Sequence, residues 1–243
     1  GNIKMATSGT FAFNLDIYQI IEEAYERCGI ELKTGYQLTT AARSLDLLMT
    51  EWTNRGINLW TLDQTTSAIV ADNQSITLDA KYVDVIDAVM RNSSNIDNSM
   101  NRITLSAYLN YPNKATTGQP SQYAVERNSN GGHTVYFYPA ADTAYTMVSW
   151  TIRYGEDAGI YTNNAEVPRR FLPALVSGLA YYLANKNPAK YELDSTGRPY
   201  VTQGVDINRR QELLGAYDID FTAAKQEDHE RASLFIVPNI ATI

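Results

Sequence analysis

Two segments of helical periodicity open this 243-residue chain and two more lie near its end, bracketing a Tyr- and Thr-rich stretch patterned as strands. Helices segregated at the two ends predict an α+β chain. The expected architecture is a four-helix bundle made from the N- and C-terminal helix pairs. A small antiparallel β region is inserted into it, and an extended C-terminal tail follows.

The first helix begins at Asn14 or Asp16, with Gln19 three residues beyond Asp16 as a capping-box partner and Gly29 as its stop. Ile17, Ile20, Ile21, Ala24 and Cys28 form its apolar stripe. After a turn at Gly35, Thr39 or Thr40 caps a second helix whose apolar positions include Ala41, Ala42, Leu45, Leu48, Met49 and Trp52. SAIVADNQSITL predicts a hairpin about Asp72 and Asn73, and YVDVIDAVM a further strand. Ile103 to Tyr111 is a short helix, and QYAVER, HTVYFYP and AYTMVSWTIRY are three more strands. Helix resumes at Val167, where Pro168 suits a first turn, and its stripe is Phe171, Leu175, Leu179, Tyr182 and Leu183. A loop through Gly197, Pro199 and Gly204 leads to Asp206, the cap of a last helix carrying Ile207, Leu214, Tyr217, Phe221 and Ala224.

Residues 1–13 are small, polar and unpatterned, which predicts a flexible arm. At the other end, KQEDHER is charged on every face and ASLFIVPNIATI is apolar again. An exposed apolar run needs a partner. It either docks on another subunit or protein, or returns to its own sheet as an edge strand.

Composition narrows the function. Charged residues are 19% of the chain, below the roughly 25% usual in globular proteins, and 17 Tyr help to fill the deficit. Tyr suits interfaces because a stiff apolar face carries a hydroxyl that still hydrogen-bonds; it also favours strands. A formal net charge of -7 argues against wrapping nucleic acid by phosphate neutralisation. No segment reaches the about 20 apolar residues that span a bilayer, and none near the N-terminus resembles a signal peptide, so a soluble, unsecreted product is expected.

Chemistry-bearing constellations are weak. His133 and His229 are far apart, without ligand spacing, and read as surface residues. Cys28, the single cysteine, falls on an apolar helix stripe as a core residue. The carboxylate pairs Glu22 with Glu23, Asp84 with Asp87 and Glu156 with Asp157 read as solvated faces. No Gly-rich phosphate loop joins a strand to a helix. No catalytic residue, metal or cofactor is therefore assigned. Arg169 with Arg170 and Arg209 with Arg210 each follow a helix start, where they are candidates for salt bridges between subunits or for plain surface roles.

The succession ARSLDLLMTEWTNRGINLW, YFYPAADTAYTMVSWTIRY, VPRRFLPALVSGLAYYLANKNP and a long helix ending EDHERA resembles the head-to-tail adaptor proteins of tailed bacteriophages, particularly the short-tailed, podovirus type. The resemblance runs from about Asp16 to Arg231. Its motifs are packing patterns: Trp52, Gly56, Leu59 and Trp60, then Pro168 and Arg169 before an apolar helix. It implies a structural virion protein at the head–tail junction, made in the host cytoplasm. Such a subunit joins a ring, usually of twelve copies, between the portal and the tail nozzle or tube, and lines a channel through which the genome passes. On this reading residues 14–232 are one adaptor domain, helical over 14–56 and 167–232 and β-rich over 57–166, and 233–243 is a docking tail. The implied portal or subunit contacts are Leu234, Phe235, Ile236, Val237, Pro238 and Ile240, with Arg169, Arg170, Arg209 and Arg210. Arg91 to Pro120 is a candidate contact for a tail fibre, a tailspike or the nozzle. The alternatives are a tail tube or nozzle subunit, a tail-associated hydrolase and a carbohydrate-binding module.

Overall fold

A computed structural model describes residues 13–57, 59–129, 132–160 and 162–226. In chain order the elements are α1 (Ile17–Cys28), α2 (Gly35–Asn54), β1 (Leu62–Ile69), β2 (Ser75–Thr77), β3 (Tyr82–Arg91), β4 (Asp97–Ser99) and β5 (Asn101–Arg102). Next come α3 (Leu105–Leu109), β6 (Thr117–Gly118), β7 (Gln122–Glu126), β8 (Thr134–Tyr138), β9 (Ala140–Ala141) and β10 (Tyr145–Arg153). The chain then forms α4 (Leu172–Lys186), β11 (Lys190–Leu193), β12 (Pro199–Gln203) and α5 (Ile207–Gln226). Two compact units result, one from the chain ends up to Leu59 and from Asp157, the other spanning Trp60–Glu156.

In the first unit α1 is capped by Asp16, whose side chain accepts from the Gln19 amide while Gln19 returns a bond to the Asp16 amide, and Gly29 ends the helix at φ 71. The buried side chains of α1 are the expected stripe plus Tyr25. Helix α2 starts earlier than expected. Thr34 caps it with Gln37 in a second capping box, so Gly35 is the first helical residue and not a turn. Helix α4 is apolar on almost every side, with Leu172, Ala174 through Ala180, Leu183 and Ala184 all buried. It is the central helix, against which α1, α2 and α5 each pack.

Close approach to α4 depends on Gly178. A Cβ there would lie 2.9 Å from both Leu48 Cδ2 and Tyr217 Cε2. Beside it, Trp52 Nε1 donates to the Tyr217 hydroxyl at 2.9 Å, and the Trp52 ring meets Phe171 and Phe221 with centroids 5.4 and 6.0 Å away. Asp206 caps α5 by accepting from the Arg209 amide at 2.7 Å. Leu213, Tyr217, Phe221 and Ala224 are the buried positions of α5, whereas Ile207 is exposed.

The four-helix bundle is not what forms. The described residues hold five α-helices and twelve strands in four sheets, and strands outnumber helices. Bundle geometry needs helices of similar amphipathicity round a shared seam; α4 instead buries most of its surface and the others surround it unequally. A β11–β12 hairpin also stands where a loop was expected between α4 and α5.

Nor is the middle one small antiparallel sheet. A β1-β10-β3-β4 sheet and a β2-β8-β7-β5 sheet share one core, to which Ile69, Val85, Met90 and Met147 contribute from the first and Tyr123, Val135 and Phe137 from the second. The β5–β7 and β6–β9 pairs are parallel. The SAIVADNQSITL hairpin is also absent, because β1 pairs with β10 while β2 pairs with β8. Asp72, at φ 66, turns the chain from one sheet to the other. Both runs carry strand periodicity, but periodicity does not name a partner.

Alternation on β8 sends Val135 and Phe137 to the core and leaves Tyr136 and Tyr138 on the opposite face. Helix α3 and the turn after it supply the cover: Tyr108 stacks on Tyr136 at 5.1 Å and Tyr111 on Tyr138 at 3.8 Å. Part of the Arg91 to Pro120 region is thus a lid on its own sheet.

Candidate functional site

Among the described residues no group of three or more His, Cys, Asp or Glu is placed to hold a metal ion, and no helix is long and apolar enough to cross a membrane. The individual candidates have structural partners. His133 is buried, against the surface position expected of it, and its Nδ1 accepts from the Asn128 amide at 3.0 Å. Asp84 receives the guanidiniums of Arg102 at 2.9 Å and Arg127 at 2.5 Å. The Cys28 thiol donates to the Ala180 carbonyl at 3.1 Å, and burial, partly offset by Arg209, pushes it up to about 11. A thiol so protonated at neutral pH is a poor nucleophile.

The two arginine pairs lie at opposite ends of α4. Arg169 and Arg170 belong to the 3-10 turn that leads into it, with the Arg169 guanidinium over the Phe13 ring at 5.0 Å and that of Arg170 over Phe171 at 5.4 Å. Arg209 sits in the first turn of α5, pairing with Glu212 at 2.8 Å and donating to the Arg27 carbonyl at 2.9 Å. Arg210 keeps its Nε buried without a hydrogen-bond partner among the described residues. No shared arginine site is formed. The other candidate contacts, Leu234, Phe235, Ile236, Val237, Pro238 and Ile240, lie outside the described residues.

Two surfaces of the first unit invite contact. One is an open groove of about 540 Å³ between α1 and the N-terminal half of α4, floored by Leu15, Leu172, Pro173 and Val176 and edged by Glu22, Glu23 and Glu26 together with Arg27 and Arg169. Glu23 is paired with Arg27 at 3.0 Å. Among the described residues Glu22 and Glu26 form no salt bridge, and Glu22 accepts from the Tyr18 hydroxyl at 3.4 Å.

The other surface is the β11–β12 hairpin, all nine of whose strand residues are exposed. Its register sets Tyr191 opposite Val201 and Leu193 opposite Pro199, so these four share one face, while Glu192 and Tyr200 share the other. A tight tip holds it in shape. Asp194 accepts from the Thr196 hydroxyl at 2.6 Å and from the Thr196 and Arg198 amides at 2.8 and 2.9 Å, and Gly197 adopts φ 79. At its base Ala189 donates to the Val205 carbonyl at 3.0 Å, and Gly204 takes φ 82 against the Pro188 carbonyl. Sequence reasoning missed this element by weighting Gly197, Pro199 and Gly204 as loop chemistry. The alternation Tyr191, Leu193 before Asp-Ser-Thr-Gly and Val201 after it was the available signal.

The helical unit thus carries an exposed hairpin and an apolar groove, and the β unit a closed core. No curated protein matches the chain. Residues 22–228 match the family described as SU10 adaptor protein, through segments of both units, and the chain belongs to that family of phage structural adaptors.

Proposed function

We propose that this chain is a head-to-tail adaptor of the short-tailed type, assembled as a ring, of twelve copies on the usual plan, beneath the portal and joined below to the tail nozzle or tube. Its family match over residues 22–228 carries this reading. The apolar 233–243 segment is the docking tail toward the portal, with Leu234, Phe235, Ile236, Val237, Pro238 and Ile240 as its contacting side chains. Arg169, Arg170, Arg209 and Arg210 belong to subunit or portal contacts. Repeating a net charge of -7 around a ring gives the channel an acidic bias, which repels DNA phosphates and lets the genome slide instead of binding it.

Sedimentation of the purified chain, alone and with the portal protein of the same virus, tests this reading. The chain sediments as a small species alone and joins a ring-sized complex with portal, and deletion of Leu234 to Ile243 abolishes the complex. A chain that ignores portal, or a deletion that leaves the complex intact, overturns the ring or the tail assignment respectively. Tight, salt-sensitive binding of duplex DNA by the complex contradicts the sliding channel.

A further inference from the structure

His133 immediately precedes β8 and is 5% exposed, with no ion pair among the described residues. Its Nδ1 accepts from the Asn128 amide at 3.0 Å, across the turn that joins β7 to β8. A neutral imidazole has one acceptor and one donor nitrogen, so acceptance at Nδ1 leaves the proton on Nε2. Asn128 closes the turn a second time, its side-chain amide donating to the Gly132 carbonyl at 3.1 Å.

The same histidine holds a third strand end. Its carbonyl accepts from the Leu78 amide at 2.9 Å, just past β2. The ends of β2 and β7 and the start of β8 thus meet at one residue. The charged groups of these elements are engaged elsewhere. On the β7 side Glu126 accepts from the Tyr136 hydroxyl of β8 at 2.8 Å, and Arg127 holds Asp84. Residues Ser75 to Thr77 of β2 carry no charge. Beyond them Asp79 accepts from the Lys81 amide at 3.0 Å, and the Lys81 ammonium lies over the Tyr82 ring. No carboxylate is paired with His133 to stabilise a cationic ring.

We propose that the β7–β8 turn is a proton-operated clasp, closed by neutral His133 and opened when its ring is protonated. A proton on Nδ1 turns the acceptor into a donor that points at another donor, the Asn128 N–H. The cation is then buried without a partner, and a buried polar group left unpaired carries its full desolvation cost. Swinging the ring and the turn into water relieves both. The closed turn therefore binds fewer protons than the open one, so a falling pH favours the open form. Histidine is the side chain whose ordinary titration falls in the mildly acidic range. Opening stays local, because Val135 and Phe137 remain in the shared core and Thr134 stays paired with Glu126 on the ladder. The clasp belongs to the β unit alone and does not rest on the ring reading.

Amide hydrogen exchange of the full chain, read by NMR as protection factors at about pH 7.5 and about pH 5.5, tests the clasp. Protection at Asn128 is expected to fall about ten-fold in acid, and at Leu78 by less, while Phe137 in the same sheet and Leu179 in α4 keep theirs. His133→Gln retains a side-chain acceptor that does not titrate, so its Asn128 protection should be the same at both pH values. His133→Phe removes the acceptor and should leave Asn128 poorly protected at both. Unchanged protection of Asn128 in the wild type overturns the inference. An acid loss that persists in His133→Gln also overturns it, by assigning the loss to another group. A loss at Phe137 together with Asn128 does the same, since acid is then unfolding the sheet instead of opening a turn. Should neither variant fold, the wild type alone decides: the Asn128 amide resonance and the His133 ring resonances are expected to titrate with one common midpoint, and separate midpoints sink the clasp.

Discussion

Helix α4 and the β11–β12 hairpin are neighbours in the chain and opposites in burial. The first covers nearly every side chain, including the small faces at Ala174, Gly178 and Ala180; the second covers none of its strand residues. Fold stability therefore concentrates at α4, and the exposed hairpin contributes little to it. Substitutions around α4 should unfold the unit, and substitutions along the hairpin should leave it folded.

The sharpest break of that contrast is Trp52→Ala. Trp52 is 1% exposed, it packs on Phe171 and Phe221, and its Nε1 donates to Tyr217. Truncation removes a large aromatic from a dense core and should cost about 3–5 kcal/mol in urea denaturation. Tyr217→Phe keeps the ring but strands the buried indole donor, at about 1–3 kcal/mol. If Trp52→Ala costs no more than a hairpin substitution such as Leu193→Ser, whose expected effect is within about 0.5 kcal/mol, the contrast is wrong.

Gly204 marks the border between the two regions. It takes φ 82, and a Cβ would stand 2.3 Å from the Pro188 carbonyl oxygen. Gly204→Ala should cost about 1–3 kcal/mol, seen as a lower melting temperature. Gly197→Ala meets no neighbour but shares the left-handed φ, so it should cost less. Equal costs would mean that backbone conformation alone, and not the close approach to Pro188, sets the requirement at the base.

What was legible beforehand follows the same division. The α1 capping box, its stripe of Ile17, Ile20, Ile21, Ala24 and Cys28, and the Asp206 cap of α5 are local signals, and they form as read. The β3, β7, β8 and β10 runs are strands for the same reason. Pairing was not legible, since β2 and β1 carry the same alternation yet join different sheets. Nor was the role of α4: a helix apolar on nearly all faces reads as a stripe when only every third or fourth residue is counted. Of the candidate contacts, the arginine pairs sit at helix starts, but nothing in their spacing revealed that α4 separates them. The hairpin was hidden because its turn residues outweighed its short strands.

Alkaline titration probes a smaller effect at the polar side of α4. Tyr182 donates to Glu51 Oε2 at 2.8 Å, and burial, with that bond and the Glu51 charge, pushes its phenol up to about 12. A folded pKa above the unfolded one means that the stabilisation is whole below the ordinary tyrosine value of about 10 and is lost as the pH rises through the folded one. Wild type should therefore lose stability between these values, and Tyr182→Phe should lose less. Identical alkaline profiles would assign the loss to other tyrosines, such as Tyr217, whose phenol burial also raises.

The smallest effect belongs to the hairpin tip. The Thr196 hydroxyl and the Arg198 and Thr196 amides hold the Asp194 carboxyl below the usual carboxylate range. A depressed folded pKa stabilises above the unfolded carboxylate value and is lost as the pH falls through the folded one. Acidification should thus loosen the tip while α4 remains packed, seen as faster amide exchange at Thr196 and Arg198 with no change at Leu179 or Leu183. Asp194→Ala should produce the same local loosening at neutral pH, whereas Asp194→Asn, which keeps an acceptor oxygen, should produce less. If acid opens α4 and the tip together, the hairpin is coupled to the helical core, and the contrast between the two regions fails.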